Sequence, residues 1–139
     1  MKRKVAAIWK GDGADGSGVL TAQSGAFTNM PYSFKTRFEN DKGELGTNPE
    51  ELIAAAHAGC FNMKLSFVLN ESNFHPDELN TEAILTFEDG KILSIDLRLE
   101  AKVPNISLDK LIELAEDAKK NCPISGALKC KINLHTTLI

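Results

Sequence analysis

TNPEELIAAAHAGCFNMKLSFVLN, residues 47 to 70, is the stretch on which the fold turns. It predicts one long helix. Asn48 stands where it can cap the first free N–H groups, Pro49 where a missing donor costs nothing, and Glu50 and Glu51 at the positive end of the helix dipole. Past that start the residues are apolar on nearly every face, from Leu52 and Ile53 through Phe61, Met63, Leu65 and Phe67 to Leu69. Such a helix is expected to be buried all round. Cys60 lies near its middle. Gly59, which costs a helix about 1 kcal/mol relative to alanine, immediately precedes it and leaves room for another backbone or a substrate to approach the thiol. A thiol so placed is either inert filler or a shielded reaction centre.

The chain around this helix has 139 residues, 42% of them apolar, which is enough for one domain with a real core, residues 1–139, and too short for a comfortable two. The formal charge of −3 comes from acidic and basic residues scattered along the chain, without the basic clustering that phosphate binding requires, so nucleic acid is not an expected partner. Lys2, Arg3 and Lys4 precede only five apolar residues, Val5 to Trp9, too short a run for a signal-peptide core or a membrane span. A cytoplasmic protein without a membrane partner is expected. In that reducing compartment, three cysteines with no C-x-x-C spacing argue against a disulfide framework and against zinc. His75 and His135 add no metal spacing, so neither a metal nor a cofactor is expected.

Upstream of the helix, residues 3 to 10 read as a strand and Gly18 to Gln23 as its hairpin partner across Gly11 to Gly16. That loop spells G-x-G-x-x-G, but it opens a strand instead of a helix, and Asp12 and Asp15 would repel a pyrophosphate. A third strand is expected from Pro31 to Glu39, with Tyr32, Phe34 and Phe38 on one face and Arg37 on the other. Downstream, Leu79 to Glu88 and Lys91 to Val103 form a hairpin across Asp89-Gly90, a strong two-residue turn signal. The second of these strands alternates cleanly, with Ile95, Leu97, Leu99, Ala101 and Val103 inward. Ser107 caps a helix with a single apolar stripe that ends near Asn121. Pro123 opens a short helix through Leu128, and Lys129 to Leu138 is a last strand. The order βββ-α-ββ-α-β predicts an α+β domain with antiparallel sheets packed on a long buried central helix.

The three cysteines have different settings. Cys130 is in phase with Ile132 and Leu134 and reads as a small core hydrophobe. Cys122, followed by Pro123, occupies an N-cap region, where unpaired N–H groups and the dipole favour a thiolate; a chance boundary residue is the other reading. Cys60, in an apolar helix, needs a nearby cation to react, because the thiolate is the reacting species. His57, at i−3, is within reach of its face, and the pair resembles the nucleophile and base of a cysteine hydrolase, though no second motif supports acyl transfer.

Three segments, PYSFKTRFENDKG (31 to 43), GTNPEELIAAAHAGCF (46 to 61) and CPIS (122 to 125), together resemble the osmotically inducible protein C (OsmC) family, relatives of the organic hydroperoxide resistance (Ohr) proteins. The likeness spans nearly the whole chain, and the TRFE context of Arg37 favours the OsmC branch. The resemblance implies a thiol peroxidase that reduces organic hydroperoxides in oxidative or osmotic stress, an interleaved homodimer, and no metal or flavin. It makes Cys60 the peroxidatic cysteine, Cys122 the resolving cysteine, Arg37 the arginine that stabilises the thiolate and Glu50 the carboxylate that orients it. It also points to a lipoyl-type dithiol as reductant. Cys130 and His57 match no catalytic role in the family.

A guanidinium is always charged, so Arg37 can lower the pKa of a buried thiol without losing its own proton. Ten residues of straight helix span about 15 Å, so Glu50 and Cys60 of one chain are awkwardly far apart for a bridging arginine. Either the helix breaks between them or a second subunit supplies one partner, and the interface is favoured. Phe38, Phe61, Met63 and Phe67 are the expected lining of a pocket for alkyl or acyl tails. The rival readings are a cysteine hydrolase using Cys60 and His57, and a non-catalytic redox sensor or binding module whose disulfide changes an interaction.

Overall fold

The computed structural model describes residues 1–139. Their contacts gather into two compact units, Met1–Leu52 and Ile53–Ile139.

In the first unit, β1 (Val5–Lys10) and β2 (Ser17–Ala22) form the expected hairpin, and β3 (Met30–Ser33) pairs antiparallel with β2. The glycine loop serves the tryptophan that precedes it. Trp9 Nε1 donates to the Gly11 carbonyl at 3.0 Å, its ring lies 5.4 Å from Tyr32, and a Cβ on Gly16 would stand 2.6 Å from it. A packing need, not a phosphate, therefore accounts for Gly16.

The third strand is shorter than predicted, because the chain turns at Ser33 into a helix, α1 (Phe34–Phe38). Ser33 Oγ accepts from the Thr36 N–H at 3.0 Å, while the Ser33 N–H donates to Thr36 Oγ1 at 2.8 Å. This is a capping box in which threonine stands in for the usual Glu or Gln, satisfying two backbone donors at once. Phe34 and Phe38, at i and i+4, stack with ring centroids 4.8 Å apart, and Arg37 projects from this turn of helix instead of from a strand face.

The central helix, α2 (Pro49–Glu71), runs without a break. Its start is as expected: the Glu51 N–H donates to Asn48 Oδ1 at 2.8 Å, and Thr47 Oγ1 donates to the Glu51 carboxylate at 3.1 Å. Burial is narrower than expected. Only His57, Phe61, Leu65, Val68 and Leu69 are buried, one stripe of the helix, while Met63 is 66% and Phe67 61% exposed. The apolar surround that the sequence calls for is thus incomplete within one chain.

In the second unit that stripe joins a core with Ile95, Leu97, Leu99 and Ala101 of β5 (Lys91–Lys102) and Leu111, Ala115 and Ala118 of α3 (Leu108–Asn121). Burying side chains the size of Phe61, Leu65 or Leu69 contributes about 1.5–3 kcal/mol each. β4 (Glu78–Glu88) pairs antiparallel with β5 across Asp89 and Gly90, both at positive φ as a type I′ turn requires. Asn62 ties the helix to β4, donating to the Leu79 carbonyl at 3.2 Å and accepting from Thr81 Oγ1 at 2.6 Å. After α3 and the short α4 (Pro123–Ala127), β6 (Lys131–Leu138) pairs with β5 in parallel, not antiparallel as expected. The two intervening helices form the crossover that a parallel pairing needs. Cys130, just before β6, packs against the core as its alternation predicts.

Candidate active site

The chemistry-bearing side chains gather in two clusters. In residues 1–52, α1 presents Arg37 to Glu50 in the first turn of α2: Nε donates to one carboxylate oxygen at 3.0 Å and Nη2 to the other. The fork is bidentate, the geometry in which arginine and carboxylate hold each other's orientation. The guanidinium is one-third exposed and lies 4.7 Å from the Phe38 ring centroid. Its hydrogen bond holds the Glu50 carboxyl below the usual carboxylate range, against the opposing effect of burial. Beside the pair lies a cavity of about 280 Å³ lined by Trp9, Tyr32, Phe34, Phe38 and Arg37. It is aromatic, with one cation on its wall.

In residues 53–139, Cys60 and Cys122 meet. Their sulfurs are 3.2 Å apart, both thiols reduced, with Cys122 1% exposed. A disulfide needs about 2.05 Å, so closing the bond calls for little more than side-chain rotation. Cys122 ends α3 and is the N-cap of α4, as the Cys-Pro step predicts. Its thiol makes no conventional cap hydrogen bond, yet the α4 N-terminus acts on it. Burial pushes Cys122 upward, but the Ser125 N–H, the Cys60 thiol, the Ser125 hydroxyl and the Ile124 N–H outweigh burial, and its pKa is lowered. Burial pushes Cys60 upward too, and its neighbour Cys122 adds to the rise, which the Ile124 N–H only partly offsets. Burial thus works against a thiolate on Cys60, while the start of α4 works in favour of one on Cys122.

His57 is fully buried, and its Nε2 lies 2.8 Å from Ser125 Oγ. Nδ1 has no hydrogen-bond partner, so neither ring nitrogen is paired with Cys60 as a hydrolase would require. Burial holds the imidazole below its ordinary pKa and so favours its neutral form.

The four expected pocket residues have separate fates. Phe38 lines the aromatic cavity, Phe61 is fully buried in the core, and Met63 and Phe67 point to solvent. They do not form a single pocket in this chain. The residues that do wall the cavity with Phe38, namely Trp9, Tyr32 and Phe34, were not singled out from sequence as a set, because they come together only through the β1–β2–β3 pairing and the turn into α1. Ser125 was missed as well; its signal is its place three residues after an N-cap cysteine, the position whose N–H and side chain face the cap.

The profile of a family described as OsmC-like protein matches residues 40–137. The chain belongs to this OsmC-like family. It is 42% identical over 142 residues to peroxiredoxin OsmC of Escherichia coli strain K12, covering 99% of this chain and 97% of that one. It is 30% identical over 99 residues to the organic hydroperoxide resistance protein OhrB of Bacillus subtilis strain 168, covering 70% and 73%. Among solved structures, an OsmC-like protein from Mycoplasma pneumoniae superposes with a TM-score of 0.79 at 17% identity, covering 100% of this chain and 98% of that one. The OhrB structure superposes at 0.69 with 28% identity and the same coverage. As an OsmC-like protein the chain has the α+β fold of this group, two small sheets and a central helix. The helix α2, which carries Cys60, is long and apolar enough to cross a membrane by length and composition alone, but its Phe61, Leu65, Val68 and Leu69 belong to the core of the second unit.

Proposed function

We propose that this protein reduces organic hydroperoxides to alcohols through a Cys60 sulfenic acid and a Cys60–Cys122 disulfide. Family membership and 42% identity to a peroxiredoxin make it a thiol-dependent peroxidase, an oxidoreductase of stress defence. The observation that carries the two-cysteine cycle is the pair of reduced sulfurs 3.2 Å apart.

The cycle begins with the Cys60 thiolate attacking the distal peroxide oxygen; the O–O bond breaks with its electron pair going to the proximal oxygen, which takes a proton from water and leaves as the alcohol, and Cys60 becomes a sulfenic acid. The thiolate is the reacting form, and because burial raises the Cys60 pKa a cation is needed near it. Arg37, oriented by Glu50, is that cation, and it steadies the charge on the departing oxygen. With α2 unbroken between Glu50 and Cys60, we assign Arg37 and Glu50 to the partner subunit of a homodimer, with residues 1–139 acting as one functional domain. The exposed apolar stripe of α2, Ala56, Gly59, Met63 and Phe67, is where a second copy would complete the burial that the sequence demands. The aromatic cavity beside Arg37 suits the apolar body of an organic hydroperoxide. A lipoyl-type dithiol in the cytoplasm reopens the disulfide.

The test is consumption of cumene hydroperoxide with dihydrolipoamide by the wild type, Cys60→Ser and Cys122→Ser. Sustained turnover that Cys60→Ser abolishes, and that Cys122→Ser reduces to a brief burst before overoxidation, is the expected result. Stoichiometric oxidation without turnover, with every dithiol tried, would move the function to a redox sensor.

A further inference from the structure

We propose that His57 and Ser125 form a relay behind Cys122, in which the buried imidazole sets the Ser125 hydroxyl so that it donates to the Cys122 sulfur and holds it ready to resolve the sulfenic acid. The role in resolution rests on the peroxidase reading above; the hydrogen-bond relay itself does not.

Four side chains line up in the second unit: His57 Nε2 is 2.8 Å from Ser125 Oγ, Ser125 stands in the first turn of α4 three residues past its N-cap Cys122, and Cys122 is 3.2 Å from Cys60. A fully buried histidine with one ring nitrogen unpartnered is costly, and the cost depends on which nitrogen carries the proton. If Nδ1 carried it, a donor would be buried without an acceptor; with the proton on Nε2, only an acceptor lone pair goes unmet, the milder of the two defects. The Nε2–H form also dictates the direction of the chain. His57 then donates to Ser125 Oγ, and the Ser125 hydrogen is free to point at Cys122, consistent with that hydroxyl favouring the thiolate. The reverse tautomer would turn the serine hydrogen toward His57 and take it from the sulfur.

The titratable groups on this line are His57 and Cys60, both from α2, with Cys122 between α3 and α4. In resolution the Cys122 sulfur attacks the Cys60 sulfenic sulfur, the S–O bond breaks with its electron pair going to oxygen, and that oxygen takes the Cys122 proton and leaves as water. Cys122 is oxidised and Cys60 is reduced to the disulfide level, with no outside reactant. Whatever stabilises negative charge on Cys122 speeds its attack, and Ser125 and His57 are placed to do so without adding net charge to a buried site. Ser125 and His57 are positioning residues, since neither meets the reacting oxygen.

The test titrates Cys122 in the reduced Cys60→Ser protein by iodoacetamide labelling across pH, read by mass spectrometry on the Cys122 peptide so that Cys130 does not interfere. Ser125→Ala is expected to raise the labelling midpoint by about one pH unit, a roughly tenfold loss of thiolate at fixed pH. His57→Phe should raise it comparably, the double variant no further than the larger single shift, and His57→Gln, which keeps an N–H donor, should recover part of it. Ser125→Ala removes one hydroxyl from a partly exposed helix and keeps the test open if His57→Phe fails to fold. A midpoint unmoved by Ser125→Ala, or unmoved by His57→Phe in a folded protein, overturns the relay. Dimedone trapping on the Cys122→Ser protein with cumene hydroperoxide runs alongside: if no Cys60 sulfenic acid forms, the peroxidase reading fails, while the titration still decides the relay.

Discussion

The Arg37–Glu50 pair and the Cys60–Cys122 pair hold their polar groups in opposite ways. Arg37 and Glu50 carry full charges, keep contact with water and fix each other through a bidentate fork. Cys60 and Cys122 are shielded, and burial pushes the pKa of both upward. Their helpers are uncharged: N–H groups at the start of α4, a serine hydroxyl and a neutral histidine. Burying an unpaired charge is costly, so charge stays where solvent can compensate it and dipoles do the work inside.

The largest effect expected is in the core. Phe61→Ala should cost about 3–5 kcal/mol in urea unfolding, because the side chain is fully buried among Leu65, Leu97 and their neighbours. A loss below about 1 kcal/mol would show that Phe61 faces a substrate channel instead, and the contrast between the buried and exposed stripes of α2 would fall.

Arg37→Ala should slow reaction of Cys60 with cumene hydroperoxide by about 10²–10³-fold, the usual loss when one preorganised charge partner is removed, with unfolding midpoints little changed. An unchanged rate would confine the charged pair to a structural role. Mixing Arg37→Ala with Cys60→Ser protein should restore up to about a quarter of the wild-type sites if the pair acts across the subunit interface, and none if it does not.

The two regions also separate by pH. His57 is depressed below its ordinary value of 6.5, so below that pH the unfolded chain binds a proton that the folded one refuses, and stability falls as pH falls. Glu50 is depressed below 4.5, so its contribution is full above that value and is lost as pH drops through its folded pKa. Urea midpoints against pH should therefore begin to fall below 6.5 and fall further below 4.5. His57→Gln should flatten the upper step and Glu50→Gln the lower; exchanged assignments would break the comparison.

The smallest effect is expected at Gly59, where nothing lies within 4 Å of an added Cβ. Gly59→Ala should stabilise the folded chain by up to about 1 kcal/mol through helix propensity. If a second copy packs on this stripe, the same change should weaken self-association in sedimentation.

Much of this was legible from local chemistry. The start of α2 at Asn48-Pro49, the Asp89-Gly90 turn and the cap at Ser107 depend on a few neighbouring residues, and each stands where its signal put it. The placement of Cys122 at a helix start followed from the proline after it. The helix at Phe34–Phe38 was hidden because its apolar residues also suit a strand, and the Ser33–Thr36 capping box, a weak variant of the usual signature, decided between them.

What the sequence by itself determined is the inventory and its local frame: an apolar helix bearing a thiol, a second thiol at a helix N-cap, an arginine and a glutamate. What only the tertiary structure decided is who meets whom. Cys60 and Cys122 are 62 positions apart and meet because α3, running back over the β5 core, delivers the start of α4 to the face of α2. The parallel return of β6 and the contact of His57 with Ser125 follow from the same crossover. Residue patterns encode which face of an element is apolar, but partners far apart in sequence are chosen by the packing of whole elements, and no local signal carries that choice.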